Sequence, residues 1–324
     1  MIEMIARKVV GLDRRIRLFF SSELQVVTAT DGVLKDKHFI ISKWGGRRTI
    51  RDINALKSQG YNLGLSVKKM KTMDLVKHPN HGPVPNLINL PTEKINSSLD
   101  MRDFLALKLE GSGYEIGAGA SPFPVPIGCK VRYIDRLSLT ELEDELYPGQ
   151  LKEDLVPPNF VTDFENLFEI TKESADFIIA CHVIEHVKNP IKTIEQCYRN
   201  LKVGGKLLLV VPDMLKTFDS KRELTPLSHL IKDYQEPSKE RDFEHYEEFY
   251  TKAFPETDRP DFTEFVQEKF NEDYSIHYHT FTYESFLEII NLMDNRKITS
   301  WSNVIALKTL RTKDDIEFYF LLTK

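Results

Sequence analysis

The chain has 324 residues, 41% hydrophobic and 29% charged, with a formal net charge of −5, which reads as an ordinary soluble globular protein with enough length for a full core. It contains no apolar run long enough to cross a bilayer and no signal-peptide stretch after Arg7 and Lys8. Cys129, Cys181 and Cys197 are too few and too scattered for a disulfide framework or a cysteine-based zinc site, so a reducing cytoplasm is the expected location.

The charge is uneven. Residues 1–80 hold 16 Lys+Arg against 7 Asp+Glu, net +9, which leaves −14 for the remainder. Such a segment can meet nucleic acid, an acidic membrane surface, phosphorylated sugars or an acidic partner. It has no compact Lys/Arg block interleaved with aromatics, so docking on the acidic remainder of its own chain is the preferred reading and no nucleic-acid partner is expected. Residues 1–95 read as a small basic α/β appendage with a linker. Residues 15–20 alternate weakly, and Asp31-Gly32 between the valine-rich 24–29 and residues 33–42 is a hairpin signal. Gly45-Gly46-Arg47-Arg48 reads as a turn, and Ile50, Ile53 and Leu56 at three-residue spacing predict a helix over 49–56. Pro79, Pro83, Pro85 and Pro91 suggest an irregular linker.

A second domain is expected over 96–324. Ser98 can cap a helix through residue 110, and Gly111-Ser112-Gly113 leads into Tyr114-Glu115-Ile116-Gly117-Ala118-Gly119-Ala120, a buried strand opening into a glycine loop. Strands follow over 129–135, 159–163, 175–181 and 206–211, with helical patterns over 139–146 and from 182 to about 202. That alternation argues an α/β fold with a doubly wound parallel sheet. Over 213–276 it lapses into a charged, aromatic insertion that suits a lid carrying acceptor specificity. Thr282 starts a last helix, and 297–307 and 316–322 read as antiparallel neighbours.

Three consecutive strands end on acids, Glu115, Asp135 and Asp163, where an open parallel sheet binds ligands. Asp135, 16 residues past Gly119, is placed to take both hydroxyls of a ribose. A nicotinamide dinucleotide would use that acid too, but its fingerprint needs a third glycine and a helix N-terminus for the pyrophosphate. Pro122 occupies the third-glycine position within Ser121-Pro122-Phe123-Pro124-Val125-Pro126, and prolines remove amide donors. A phosphate-free cationic ribose ligand, S-adenosylmethionine, fits better.

Glu115-Ile-Gly-Ala-Gly119, Asp135, Asp163-Phe164, Ala175 to His186 and Leu201 to Leu209 resemble, in order, the motifs of class I S-adenosylmethionine-dependent methyltransferases, most similarly the methyltransferase type 11 group. The resemblance spans roughly 98–324. It implies a Rossmann-like seven-stranded sheet with an antiparallel last strand. By position it implies that Gly117 and Gly119 approach the methionine part and Glu115 orients their loop. Asp135 would bind the ribose, Asp163 and Phe164 would flank the adenine, and Cys181 and His182 would lie beside the sulfonium. The proline-rich segment after Gly119 departs from the pattern and puts the first helix in doubt. Ile184 to Pro190, Val211-Pro-Asp213, Thr217 to Arg222 and Leu224 to Leu230 look closer still to methyltransferases of surface-polysaccharide and glycan biosynthesis, which implies a sugar hydroxyl as acceptor.

His182-Val-Ile-Glu185-His186 puts three polar groups on one helical face. Its H-x-x-E-H spelling is also that of a zinc protease, which the preceding buried strand argues against. A divalent metal completed by a later histidine such as His229 is the stronger alternative. The favoured reading has Glu185 and His186 holding the turn by hydrogen bonds, with His182 alone facing the pocket and no metal. A sugar hydroxyl gains from a general base near neutrality, for which His182 is the first candidate and His229 the second. His245, His277 and His279 are expected to be structural or surface residues. The rival readings are an N- or carboxyl-methyltransferase of a small metabolite and a non-catalytic binding module; a homo-oligomer is compatible with all of them.

Overall fold

The computed structural model describes residues 25–31, 34–41, 46–51, 68–83, 97–165, 167, 172–254, 257–309 and 315–324. The N-terminal strands β1 (Gln25–Ala29), β2 (His38–Ile41), β3 (Arg47–Ile50), β4 (Lys68–Met70) and β5 (Asn80–Pro83) form one sheet in the order β4-β1-β2-β3-β5. The expected hairpin is present, with Thr28 opposite His38 in an antiparallel β1–β2 pair. Its connection is longer than a two-residue Asp-Gly turn, and Asp31 instead accepts the Thr72 amide at 2.7 Å. Arg47 and Arg48 lie in β3 rather than in a turn. Thr49 and Ile50 are strand as well, because pairing with β2, His38 opposite Ile50, outweighs the local helical spacing. Ile53, Leu56 and residues 15–20 lie outside the described residues. Pro79 and Pro83 belong not to an irregular linker but to the flank and end of β5, an edge strand where a missing N–H is tolerated; Pro85 and Pro91 lie outside the described residues.

The basic sheet docks on its own chain, as the charge split suggested. Arg48 is 2% exposed, and its guanidinium donates to the Pro126 carbonyl at 3.1 Å. Arg47 donates to the Glu153 carbonyl, Arg51 pairs with Asp103, and Asn80 donates to the Asp154 carbonyl at 3.0 Å. Gly82, with φ +75°, passes against Pro122. The prolines after the glycine loop therefore form a seat for the appendage, where a helix would otherwise begin.

The larger sheet contains β6 (Ser112–Ile116), β7 (Lys130–Asp135), β8 (Phe160–Val161), β9 (Ala175–Cys181), β10 (Leu201–Pro212), β11 (Asn303–Leu307) and β12 (Glu317–Thr323). Its order is β11-β12-β10-β9-β6-β7-β8. β8, β7, β6, β9 and β10 are parallel; β12 runs antiparallel to β10 and to β11. This is the Rossmann-like class I methyltransferase arrangement. The chain leaves β6 toward β7 and β8, then returns to β9 on the other side, so the strand order reverses between β6 and β9. Open parallel sheets bind ligands at such a reversal, at the strands' C-terminal ends.

Alternation along buried strands feeds two cores. Ile178, Leu207, Leu209 and Phe320 join one, with Ile191 and Ile194 of α2 (Pro190–Asn200) and Phe286, Ile290 and Met293 of α6 (Tyr283–Asn295). Phe177, Ile179, Leu208 and Tyr319 join the other, with Met101 and Leu105 of α1 (Ser98–Ala106) and with Phe123 and Val125. The α1 cap is Ser97, which accepts the Asp100 amide at 3.1 Å, one residue before the expected Ser98. Asn189 caps α2 with Pro190 at its first position, and Thr282 caps α6 as expected. The insertion folds into α3 (Leu227–Gln235), α4 (Lys239–Lys252) and α5 (Phe262–Asn271). It has an aromatic core of its own from Tyr246, Phe249, Tyr250, Val266, Ile276 and Tyr278.

Candidate functional site at the strand ends

At the tip of β6 the backbone turns through two left-handed glycines, Gly117 at φ +67° and Gly119 at φ +48°. A Cβ on Gly117 would stand 2.9 Å from Val183 Cγ2 and 3.7 Å from Phe164 Cζ. One on Gly119 would stand 2.3 Å from the Tyr147 hydroxyl. Only glycine permits this close approach. Asp135 closes β7 beside them. It is 7% exposed and accepts the Leu137 amide at 3.2 Å, and burial pushes its carboxyl up to about 6 against that bond.

The three acids do not gather into one grip. Glu115 is 1% exposed, and its Oε1 accepts the Phe123 amide at 2.6 Å, so this side chain fastens the loop after Gly119. Burial raises its carboxyl to about 8, against the Phe123 bond and Arg48. Asp163 is exposed, and its Oδ1 accepts the Glu165 amide at 2.9 Å as a turn cap. The reason is local. Glu115 precedes the strand's end, where the pleat aims it at the proline loop, and β8 is too short to carry Asp163 inward.

On the other side of the switch point, Cys181 ends β9 and burial drives its thiol pKa well up. His182 follows with φ +53° while its amide donates to the Val210 carbonyl at 2.9 Å. Its Nε2 lies 2.8 Å from Glu317 Oε2 at the start of β12. Glu317 takes a bidentate pair from Arg102 of α1, at 2.7 and 2.5 Å, and the Tyr319 hydroxyl at 2.8 Å. Burial opposes the charge on His182, but the Glu317 bond and Glu185 outweigh it, so its pKa is raised. Burial likewise opposes the Glu317 carboxylate, yet Arg102 and His182 hold it down at about 2. Sequence reading missed Glu317 and Arg102. The available signal was an acid opening the apolar strand Glu-Phe-Tyr-Phe-Leu-Leu-Thr.

The expected role of Glu185 needs correction. Its carboxylate is 1% exposed with no hydrogen-bond partner among the described residues; only its backbone carbonyl ties the turn, taking the Tyr278 amide at 2.8 Å. The carboxylate lies 3.7 Å from His182 Nδ1 and 3.9 Å from His186 Nε2. His186 Nδ1 donates to the Ile276 carbonyl at 2.9 Å, and His277 Nδ1 bonds Asp219 at 2.6 Å. Glu185, His186 and His277 thus offer one ligand atom each within 4.8 Å. Two imidazoles oriented from behind and one carboxylate fit a divalent ion with open positions. His277 is the later histidine that meets the motif. His229 instead joins Asp233, His245 and His279.

Residues 102–255 match the family model described as a methyltransferase domain. The match supports a methyltransferase dependent on S-adenosyl-L-methionine. No curated protein matches the chain. Among solved structures, one described as a SAM-dependent methyltransferase of Thermotoga maritima is 18% identical, with a TM-score of 0.38 over 69% of this chain and 88% of that one. Another, from Methanococcus maripaludis, is 15% identical, with a TM-score of 0.36 over 69% and 83%. The phosphoethanolamine N-methyltransferase 2 of Haemonchus contortus, in complex with S-adenosyl-L-methionine, is 16% identical, with a TM-score of 0.29 over 72% and 54%. Scores this low say nothing of the acceptor. Among the described residues no helix is long and apolar enough to cross a membrane.

Proposed function

We propose that this protein transfers the methyl group of S-adenosylmethionine to a sugar hydroxyl of a nucleotide sugar or surface-glycan precursor. The observation that carries the reading is the His182–Glu317 contact at 2.8 Å beside the β6–β9 switch point. An imidazole held by a carboxylate is the arrangement a high-pKa hydroxyl needs from a general base, whereas an amine acceptor needs none. His182 takes the hydroxyl proton while the oxygen attacks the methyl carbon. The carbon–sulfur bond breaks with its electron pair going to sulfur, and neutral S-adenosylhomocysteine leaves. The donor is already activated by its positive charge, so the remaining contribution is alignment and exclusion of water. Gly117, Gly119 and Phe164 are assigned to the donor's methionine and adenine parts, Asp135 to its ribose, and Cys181 to the floor beside the sulfonium. Glu115 holds the loop, and Asp163 caps the turn that carries Phe164.

A second reading is favoured by the unpartnered Glu185 carboxylate. With His186 and His277 it would hold a divalent ion next to His182, which would supply Lewis-acid activation of the acceptor oxygen. Candidate nucleotide sugars incubated with enzyme and donor, then analysed by mass spectrometry, test the proposal. A product heavier by one CH2, a hydroxyl hydrogen replaced by methyl, formed by the wild-type enzyme and lost in His182→Ala, is expected. Methylation of amines with full activity in His182→Ala would replace it with the N-methyltransferase reading.

A further inference from the structure

Away from the strand ends, four side chains converge. His229 and Asp233 share a face of α3, His245 comes from α4, and His279 from the extended segment before α6. His229 Nε2 lies 3.1 Å from Asp233 Oδ2 and 3.2 Å from His245 Nε2. One ligand atom from each of the four residues falls within 4.8 Å of all the others. A tetrahedral ion bound at about 2.0–2.1 Å keeps its ligand atoms about 3.3 Å apart, close to these spacings.

Three of the four are held from behind in the way metal ligands are. His279 Nε2 meets the Lys188 carbonyl at 3.1 Å and must donate to it, which leaves Nδ1 as a bare acceptor. That Nδ1 has no hydrogen-bond partner among the described residues, and the residue is 0% exposed. The His245 ring bonds the Tyr278 backbone, freeing Nε2 toward the cluster. Asp233 Oδ1 accepts from Arg241 Nε at 2.9 Å, while Oδ2 is buried without an aligned hydrogen bond. Edge-on ring packing, with His245 and His279 centroids 4.8 Å apart, accounts for the aromatic contacts. It does not account for His279 Nδ1, a buried polar atom left unpaired among the described residues and aimed into the cluster.

We propose that His229, Asp233, His245 and His279 bind one first-row divalent ion of the zinc type in a closed four-coordinate site. Four protein ligands leave no position for substrate, so the ion is structural. It clasps α3 and α4 to the segment whose other face presents His277 to Glu185. The inference does not depend on the acceptor or on methyl transfer.

The test is a Co2+ titration of the full chain after chelator treatment, read by visible absorption, with wild type, H245A/H279A and H186A/H277A in parallel. One equivalent should give the strong d–d bands of a four-coordinate ion in wild type. H186A/H277A should keep them. H245A/H279A should lose them, with affinity falling by more than the roughly 10–100-fold that loss of an outer-shell partner costs. Absence of four-coordinate bands in H186A/H277A, or their persistence in H245A/H279A, would overturn the site. If H245A/H279A fails to fold, H186A/H277A decides by itself: bands at one equivalent support the site and none refutes it.

Discussion

The strand ends at the β6–β9 switch point and the insertion 213–276 are built by opposite means. At the strand ends, function sits on backbone geometry: two left-handed glycines, a left-handed His182, and an acid at the end of a parallel strand, all positioned by a sheet buried on both faces. In and beside the insertion it sits on side chains brought together from distant positions, with Glu185, His186 and His277 in one cluster and His229, Asp233, His245 and His279 in another. A backbone site is local in sequence and intolerant of added atoms. A side-chain site is non-local and tolerates them better, but fails when one ligand is lost.

The largest effect expected from that contrast is at Gly119. A valine there adds a branched side chain at φ +48°, with its Cβ 2.3 Å from the Tyr147 hydroxyl. Affinity for S-adenosylhomocysteine should fall by roughly 100-fold or more, about 3 kcal/mol, by calorimetry. Unchanged affinity would place the donor elsewhere.

Next comes the His182–Glu317 pair. His182→Ala should lower turnover by roughly 10²–10⁴-fold with cofactor binding nearly intact. A general base works when neutral, and the pKa of His182 is raised, so wild-type activity should climb with pH above the ordinary histidine value as the proton leaves. Glu317→Gln removes the stabiliser of the charged imidazole and should shift that limb toward acid. A limb that stays in place in Glu317→Gln would show that another group titrates.

The smallest effect is thermodynamic. Burial raises the Asp135 carboxyl from its ordinary 3.8 to about 6, so the folded state holds its proton more tightly than the unfolded one. That group therefore costs stability as pH rises through the window from 3.8 to 6, and the full cost is present at neutrality. Asp135→Asn should stabilise the ligand-free protein at pH 7 by about 1–3 kcal/mol in denaturant melts while weakening donor binding. Destabilisation would mean the carboxylate is satisfied by groups beyond Leu137.

The same contrast explains what could be read from sequence. Residues 112–120, 129–135, 175–181 and 206–211 were legible as strands of a parallel sheet, because strand ends, acids and glycines are neighbours along the chain. Glu115, one step before the strand's end, meets the Phe123 amide of the loop, and Asp163 stays exposed because β8 is only two residues long. The N-terminal turn and helix failed where β3 pairs with β2, a contact no local spacing reports. Glu317 and Arg102 were missed since they meet His182 only after the sheet is assembled. The clusters that His277 and His279 join were not legible, and both read only as structural or surface residues, because alternate positions of one extended segment serve two different clusters.

The account rests on a glycine cradle that takes a phosphate-free adenosine donor. Isothermal titration of the purified chain with S-adenosylhomocysteine tests it most directly. Saturable one-to-one binding, abolished in Gly119→Val and retained in His182→Ala, is the predicted result. No heat with the wild-type chain, or equal heat with Gly119→Val, would contradict it.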